Sequence, residues 1–237
     1  MTKLISRLAM IAALALPCAA HGGPIGPPSP VTAIVPCGIA LVGWDGGQAD
    51  PNGNFTITIK DSAGKPIPNA PIVVDFTGCC NDIRLAGTQH NPSSPLALDP
   101  TGKKVLATTN ELGAVTMSIM GMAAELRPAP TSARGAGVNN GCADIYTDGR
   151  LLTPNHVQVA TYDEDGATGG LGVTGADFSV FLEDWLPNVY YQRGDFNYAV
   201  TCSQMPGITG ADFVVFLGVW LGAGASPQNV APTATCP

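Results

Sequence analysis

Charge is scarce in this chain. Of 237 residues, only 12% are Asp, Glu, Lys or Arg, about half the usual share. Lys and Arg number 11 against 18 acidic residues, for a net charge of −7. A chain so poor in basic residues lacks the footprint that phosphate backbones require, which argues against a nucleic-acid partner. Long apolar runs are also missing. The stretches 8–16 and 213–221 are apolar but well short of the roughly 20 residues a membrane-spanning helix needs. No paired CxxC or Cys/His spacing of a zinc site is present. There is no GxSxG elbow, HExxH, Walker loop or dinucleotide-type glycine pattern. The three histidines, His21, His90 and His156, have no evident acid or nucleophile companion. Paired carboxylates can hydrolyse glycosides, but the acidic residues here gather in two loops near the C-terminus. These absences favour a non-catalytic protein.

What is abundant is glycine and proline, 29 and 21 residues, alongside 45% apolar residues. That balance favours short strands and many turns around a real core. The first 20 residues read as a signal peptide: Lys3 and Arg7, a short apolar run, then Cys18, Ala19 and Ala20 as small residues for cleavage. Pro17 before Cys18 is a poor context for lipid attachment. The expected mature protein is secreted or held at the cell surface, with no transmembrane segment. Export makes the remaining cysteines disulfide candidates: Cys37, Cys79, Cys80, Cys142, Cys202 and Cys236. Adjacent cysteines rarely pair with each other. Cys79 and Cys80 should therefore reach out to Cys37 and Cys142, leaving Cys202 with Cys236.

Residues 21–30 form a Pro/Gly linker. Beyond it, FTITIK (55–60) alternates, DSAGKPIPN (61–69) is turn chemistry with Gly64 free to take positive φ, and APIVVDF (70–76) is β-branched and apolar. KVLATT (104–109), NELG (110–113) and AVTMSIMG (114–121) read as a hairpin, and CADIYTDG (142–149) and HVQVATY (156–162) as two more strands. The stretches 88–103 and 123–141 read as loops. The pattern predicts a mainly β chain with an antiparallel sandwich over 31–161.

The run FTITIKDSAGKPIPNAPIVVDF, followed by ATTNELGAVTMSIMG, resembles the bacterial immunoglobulin-like domains of the invasin and intimin type, with their D-x-x-G-x-P-x-P and T-T-x-x-x-G-x-A turns. The resemblance covers roughly 31–162. It implies an immunoglobulin-like β-sandwich acting as a rigid spacer or adhesive module.

The most informative feature is a duplication. GVTGADFSVFLEDWL (172–186) returns as GITGADFVVFLGVWL (207–221). Thr174 with Asp177, and Thr209 with Asp212, are capping boxes that should each start a helix. Phe178, Phe181, Leu182 and Trp185 then recur at i, i+3, i+4 and i+7, and Phe213, Phe216, Leu217 and Trp220 repeat that face. Two such stripes are expected to bury against each other. Before the helices, Asp163 with Asp165, and Asp195 with Asn197, place oxygen ligands two residues apart. Short oxygen donors, a Gly-rich turn and a carboxylate at a helix start suit a hard cation such as Ca²⁺. The alternative is that Asp177 and Asp212 only cap their helices, while Asp163, Asp165 and Asp195 are solvated turn residues.

This tandem resembles dockerin modules, over 162–224, followed by a tail at 225–237. The resemblance implies calcium held by Asp163, Asp165, Asp177, Asp195, Asn197 and Asp212, one ion or two, and docking onto a cohesin-like or cell-surface protein. The two loops, 163–177 and 195–212, are longer than the roughly twelve-residue calcium loop, and no Asp or Asn stands at the fifth position. The sequence thus predicts an exported attachment protein whose sandwich and helix pair have separate cores. The alternatives are an accessory component of an extracellular polysaccharide-degrading system, or a structural envelope protein whose helix pair packs on the sandwich.

Overall fold

The computed structural model describes residues 24–45, 48–79, 83–89, 91, 95–99, 101, 103–123, 141–164, 172–186, 194–196 and 208–221. The stretch 1–20 read as a signal peptide, the tail, Asp165, Asn197, Cys80, Cys202 and Cys236 lie outside them.

The chain is mainly β, with two helices. In order come β1 (Gly38–Val42), β2 (Trp44–Asp45), β3 (Gln48–Ala49), β4 (Phe55–Thr58), β5 (Pro71–Asp75), β6 (Ile83–Leu85), β7 (Ala97–Leu98), β8 (Lys104–Thr108), β9 (Ala114–Met117), β10 (Ile119–Ala123), β11 (Asp144–Thr147), β12 (Arg150–Leu151), β13 (Gln158–Thr161), α1 (Gly175–Trp185) and α2 (Gly210–Trp220). One sheet has the order β13-β1-β10-β6 and another β12-β11-β5-β8-β7; β4 pairs with β9, and β2 with β3.

Alternation explains the first core. Ile72 and Val74 of β5, Val105 and Ala107 of β8, and Ile145 of β11 point inward. They meet Ile39 and Leu41 of β1, Ile57 of β4, Met117 of β9 and Val159 of β13 in one buried cluster. Cys79 is disulfide-bonded to Cys142 at the cluster's edge, joining positions 63 residues apart. Cys37 is disulfide-bonded as well, to a partner outside the described residues. The Cys79–Cys142 bridge fits the expected pairing. The Asp61 turn also forms as expected: its carboxylate accepts from the backbone N–H of Ala63 and of Lys65, each at 2.9 Å, and Gly64 adopts φ 79°.

Two expectations are corrected. Residues 104–121 are not a hairpin: β8 pairs with β5 and β7, whereas β9 pairs with β4. The NELG turn carries the chain from one sheet to the other, so each strand keeps its apolar face on the same core while finding a different neighbour. Nor is the sandwich wholly antiparallel, because β1 runs parallel to both β10 and β13. Within the expected loop 88–103, the two residues of β7 pair with β8.

The parallel strands explain a further departure. β10 is buried at all five positions and β1 at four of five. GIALV and IMGMA do not alternate because both faces of this sheet are covered. One face lies on the sandwich core. The other contributes Val42, Met120, Ala160 and Tyr162 to a second cluster, completed by Val173, Phe181, Phe196, Phe216 and Val219 from the helical part. The sandwich and the helix pair therefore do not have separate cores; they share this second one.

Candidate functional site

The duplicated segments repeat in atomic detail. Thr174 and Thr209 are the N-caps of α1 and α2, both with complete capping boxes. The Thr174 N–H donates to Asp177 Oδ2 at 2.7 Å, and the Thr209 N–H to Asp212 Oδ2 at 2.8 Å. In return the hydroxyl oxygens accept from Ala176 and Ala211 at 3.1 and 3.2 Å. These contacts satisfy N–H groups that a helix start leaves without intrahelical partners. The aromatic stripes meet as expected: Phe178 stacks on Trp220 at 5.2 Å, Phe181 on Phe216 at 5.4 Å and Trp185 on Phe213 at 5.5 Å. Phe181 and Phe216 are fully buried, whereas Trp185 and Trp220 are half-buried.

The first loop begins where β13 ends. The Asp163 carbonyl accepts from Ala123 of β10 at 2.9 Å, which ties the loop start to the sheet. Its carboxylate accepts from the Gly172 N–H at 2.9 Å, and Gly172 holds φ 109°, a conformation that L side chains rarely adopt. The next residue, Glu164, donates its N–H to Asp177 Oδ1 at 2.6 Å. Asp177 thus binds both the loop's first turn and the helix N-cap, bringing the two ends of the loop together. In the second repeat, Asp195 and Asp212 are both buried. Beside them Tyr162 stacks on Phe196 at 4.5 Å. Burial, and then the negative charges of Asp50 and Asp212, raise its phenol well above the ordinary value.

Asp163 and Asp195 are therefore not solvated turn residues; they are 2% and 5% exposed. Between 162 and 237 the chain has eight acidic residues and a single basic one, Arg193. Six of those acids, Asp163, Glu164, Asp177, Asp184, Asp195 and Asp212, are buried. Sequence spacing did not mark Glu164 and Asp184 as buried. Tertiary packing decides that: Glu164 and Asp184 are 0% and 2% exposed. The donor set is all oxygen, which fits a hard cation in kind. Among the described residues, no three His, Cys, Asp or Glu side chains gather into a group able to hold a metal ion. Asp163 and Asp177 stand at the first loop and Asp195 and Asp212 at the second, while Asp165 and Asn197 lie outside the described residues.

Elsewhere, His156 does have an acidic companion that its sequence surroundings hid: its Nδ1 lies 2.6 Å from Asp144 Oδ1. The two are brought together where residues 142–144 run beside 156–158, joined by the Ala143–Val157 bridge. No family model, no curated protein and no solved structure matches the chain.

Proposed function

We propose that this is an exported, non-catalytic attachment protein. An immunoglobulin-like sandwich acts as spacer or adhesive body, and a dockerin-like helix pair, set by calcium, engages a cohesin-like or cell-surface partner. The observation that carries this reading is the closure of the first loop: Glu164 bonded to Asp177 brings Asp163 and Asp177, two buried carboxylates, to the ends of one Gly-rich turn. Carboxylate oxygens at both ends of a Gly-rich turn are the donors a hard cation such as Ca²⁺ takes. Asp163 and Asp177, with Asp165, would hold an ion in the first loop; Asp195 and Asp212, with Asn197, would hold a weaker one in the second. Calcium would supply charge neutralisation and fix the helix starts, with no chemistry of its own.

Titration calorimetry with CaCl₂ on the full chain tests the reading. Binding of one or two ions is expected, with a higher Tm in Ca²⁺ than in chelator. At a free concentration of a hundred times Kd, linkage predicts about 2.7 kcal/mol of added stability. Asp163→Ala should abolish most of the gain and Asp195→Ala less. A melt untouched by chelator, with no heat of binding at millimolar calcium, refutes the metal. Capture from the native secreted fraction, with and without chelator, then tests the docking step.

A second reading has its own support. The shared second core favours a structural envelope protein in which the helix pair is a fixed cover for the sheet that contains β1 and β10. Under that reading calcium would be dispensable and the helices would not dock a partner.

A further inference from the structure

Far from the helix pair, the sandwich has a recessed strand edge. Ile34 forms an antiparallel bridge with Thr58 of β4: each N–H donates to the other's carbonyl, both at 2.9 Å. The side chains of Ala33 and Val35 pack on the core, while Ile34 is 55% exposed. Residues 33–35 therefore act as a short extra strand beside β4. In an antiparallel pair, the residues flanking a hydrogen-bonded position turn their N–H and C=O to the opposite side. The backbone N–H and C=O of Val35 meet no hydrogen-bond partner among the described residues. They border a groove of about 700 Å³ whose other wall is residues 152–158. That volume lies within the roughly 300–1,000 Å³ typical of ligand sites.

The chemistry of the groove is specific. Its apolar lining includes Pro30, Ile34, Pro36, Leu152, Pro154 and Val157. Among the described residues its only titratable side chain is His156, already engaged by Asp144 at 2.6 Å. A groove whose described lining carries no free charge matches an uncharged occupant, because a charged side chain would be desolvated there without a counter-charge from that lining. Unpaired strand edges recruit other strands, through main-chain bonds to the edge and side-chain contacts on the walls. Pro36 has no N–H and closes the edge at one end, so pairing is limited to a few residues.

We propose that the groove between residues 33–37 and 152–158 binds an extended, uncharged peptide segment of a partner polypeptide, which adds a strand alongside Val35. The inference stands independently of calcium and of the helix pair.

The test uses the full chain and the blocked peptide acetyl-Thr-Val-Thr-Val-Thr-Val-amide, with NMR shifts and amide hydrogen exchange as readouts. Saturable binding is expected, with slowed exchange at the Val35 N–H. N-methylation of alternate peptide residues should weaken binding by about tenfold for each main-chain bond removed. A peptide with Asp in place of its central Val should not bind. Asn155→Trp, at an exposed position on the groove wall, should block binding with the fold intact by circular dichroism. Three results overturn the proposal: no saturable binding at millimolar peptide, binding indifferent to both N-methylation and Asn155→Trp, or concentration-dependent self-association that protects Val35 without peptide. The last would make a second copy the occupant.

Discussion

Replacing Phe216 with alanine should destabilise the sheet as well as the helices. Phe216 is fully buried, with ring contacts to Phe181 at 5.4 Å and to Phe178, Phe196 and Trp220 at 6.1 Å. It belongs to the cluster that also contains Val42 of β1, Met120 of β10 and Tyr162, which follows β13. Truncating a buried Phe to Ala costs about 3–5 kcal/mol, combining lost transfer energy with an incompletely closed cavity. For a domain of this size each kcal/mol shifts Tm by about 2–4 °C, so the fall should be roughly 6–20 °C. Scanning calorimetry on the full chain should show one transition, lowered as a whole. Hydrogen exchange at the Tyr162 N–H, bonded to Leu41 O at 3.4 Å, should accelerate with it. Ile57→Ala, deep in the other cluster, should lower the same transition. Trp185→Ala and Trp220→Ala should cost less, since both rings are half-buried. Two separate transitions, with only the helical one moved by Phe216→Ala, would refute the shared core.

Removing the Cys79–Cys142 bridge by the double change to alanine should cost about 4 kcal/mol, the chain-entropy value for a loop of this length; a denaturant midpoint equal to that of the parent would contradict it. Asp61 contributes to the acid sensitivity of the sandwich. Hydrogen bonds from the N–H groups of Gly26, Lys65 and Ala63, helped by the charge of Lys65, outweigh desolvation and hold its carboxyl below the ordinary value. A depressed folded value contributes stability above the unfolded pKa of about 4, and that contribution is lost as pH falls through the folded value. Asp61→Asn should therefore flatten the acid limb of a Tm-versus-pH curve while leaving its slope above pH 6 unchanged, and an unaltered acid limb would exclude this carboxylate as its source.

Short-range chemistry was legible in the sequence. Thr174 with Asp177, and Thr209 with Asp212, start their helices where the capping boxes said, because a cap is satisfied within three residues. The Asp61–Gly64 turn and the alternating runs of β4, β5 and β8 formed for the same reason: the turn type and the buried face of a strand are set by neighbours in the chain. The pairing of those strands was not legible. The NELG turn could close a hairpin or cross between sheets, and only the competition for partners across the sandwich, with β4 taking β9 and β5 taking β8, decided for the crossing. The non-alternating runs of β1 and β10 carried a signal that something covers both faces, but not what. Tertiary packing chose the helix pair as that cover, since its aromatic stripes and the outer face of the β13-β1-β10-β6 sheet are each incompletely buried alone. That choice took Asp163, Asp195 and their neighbours out of water.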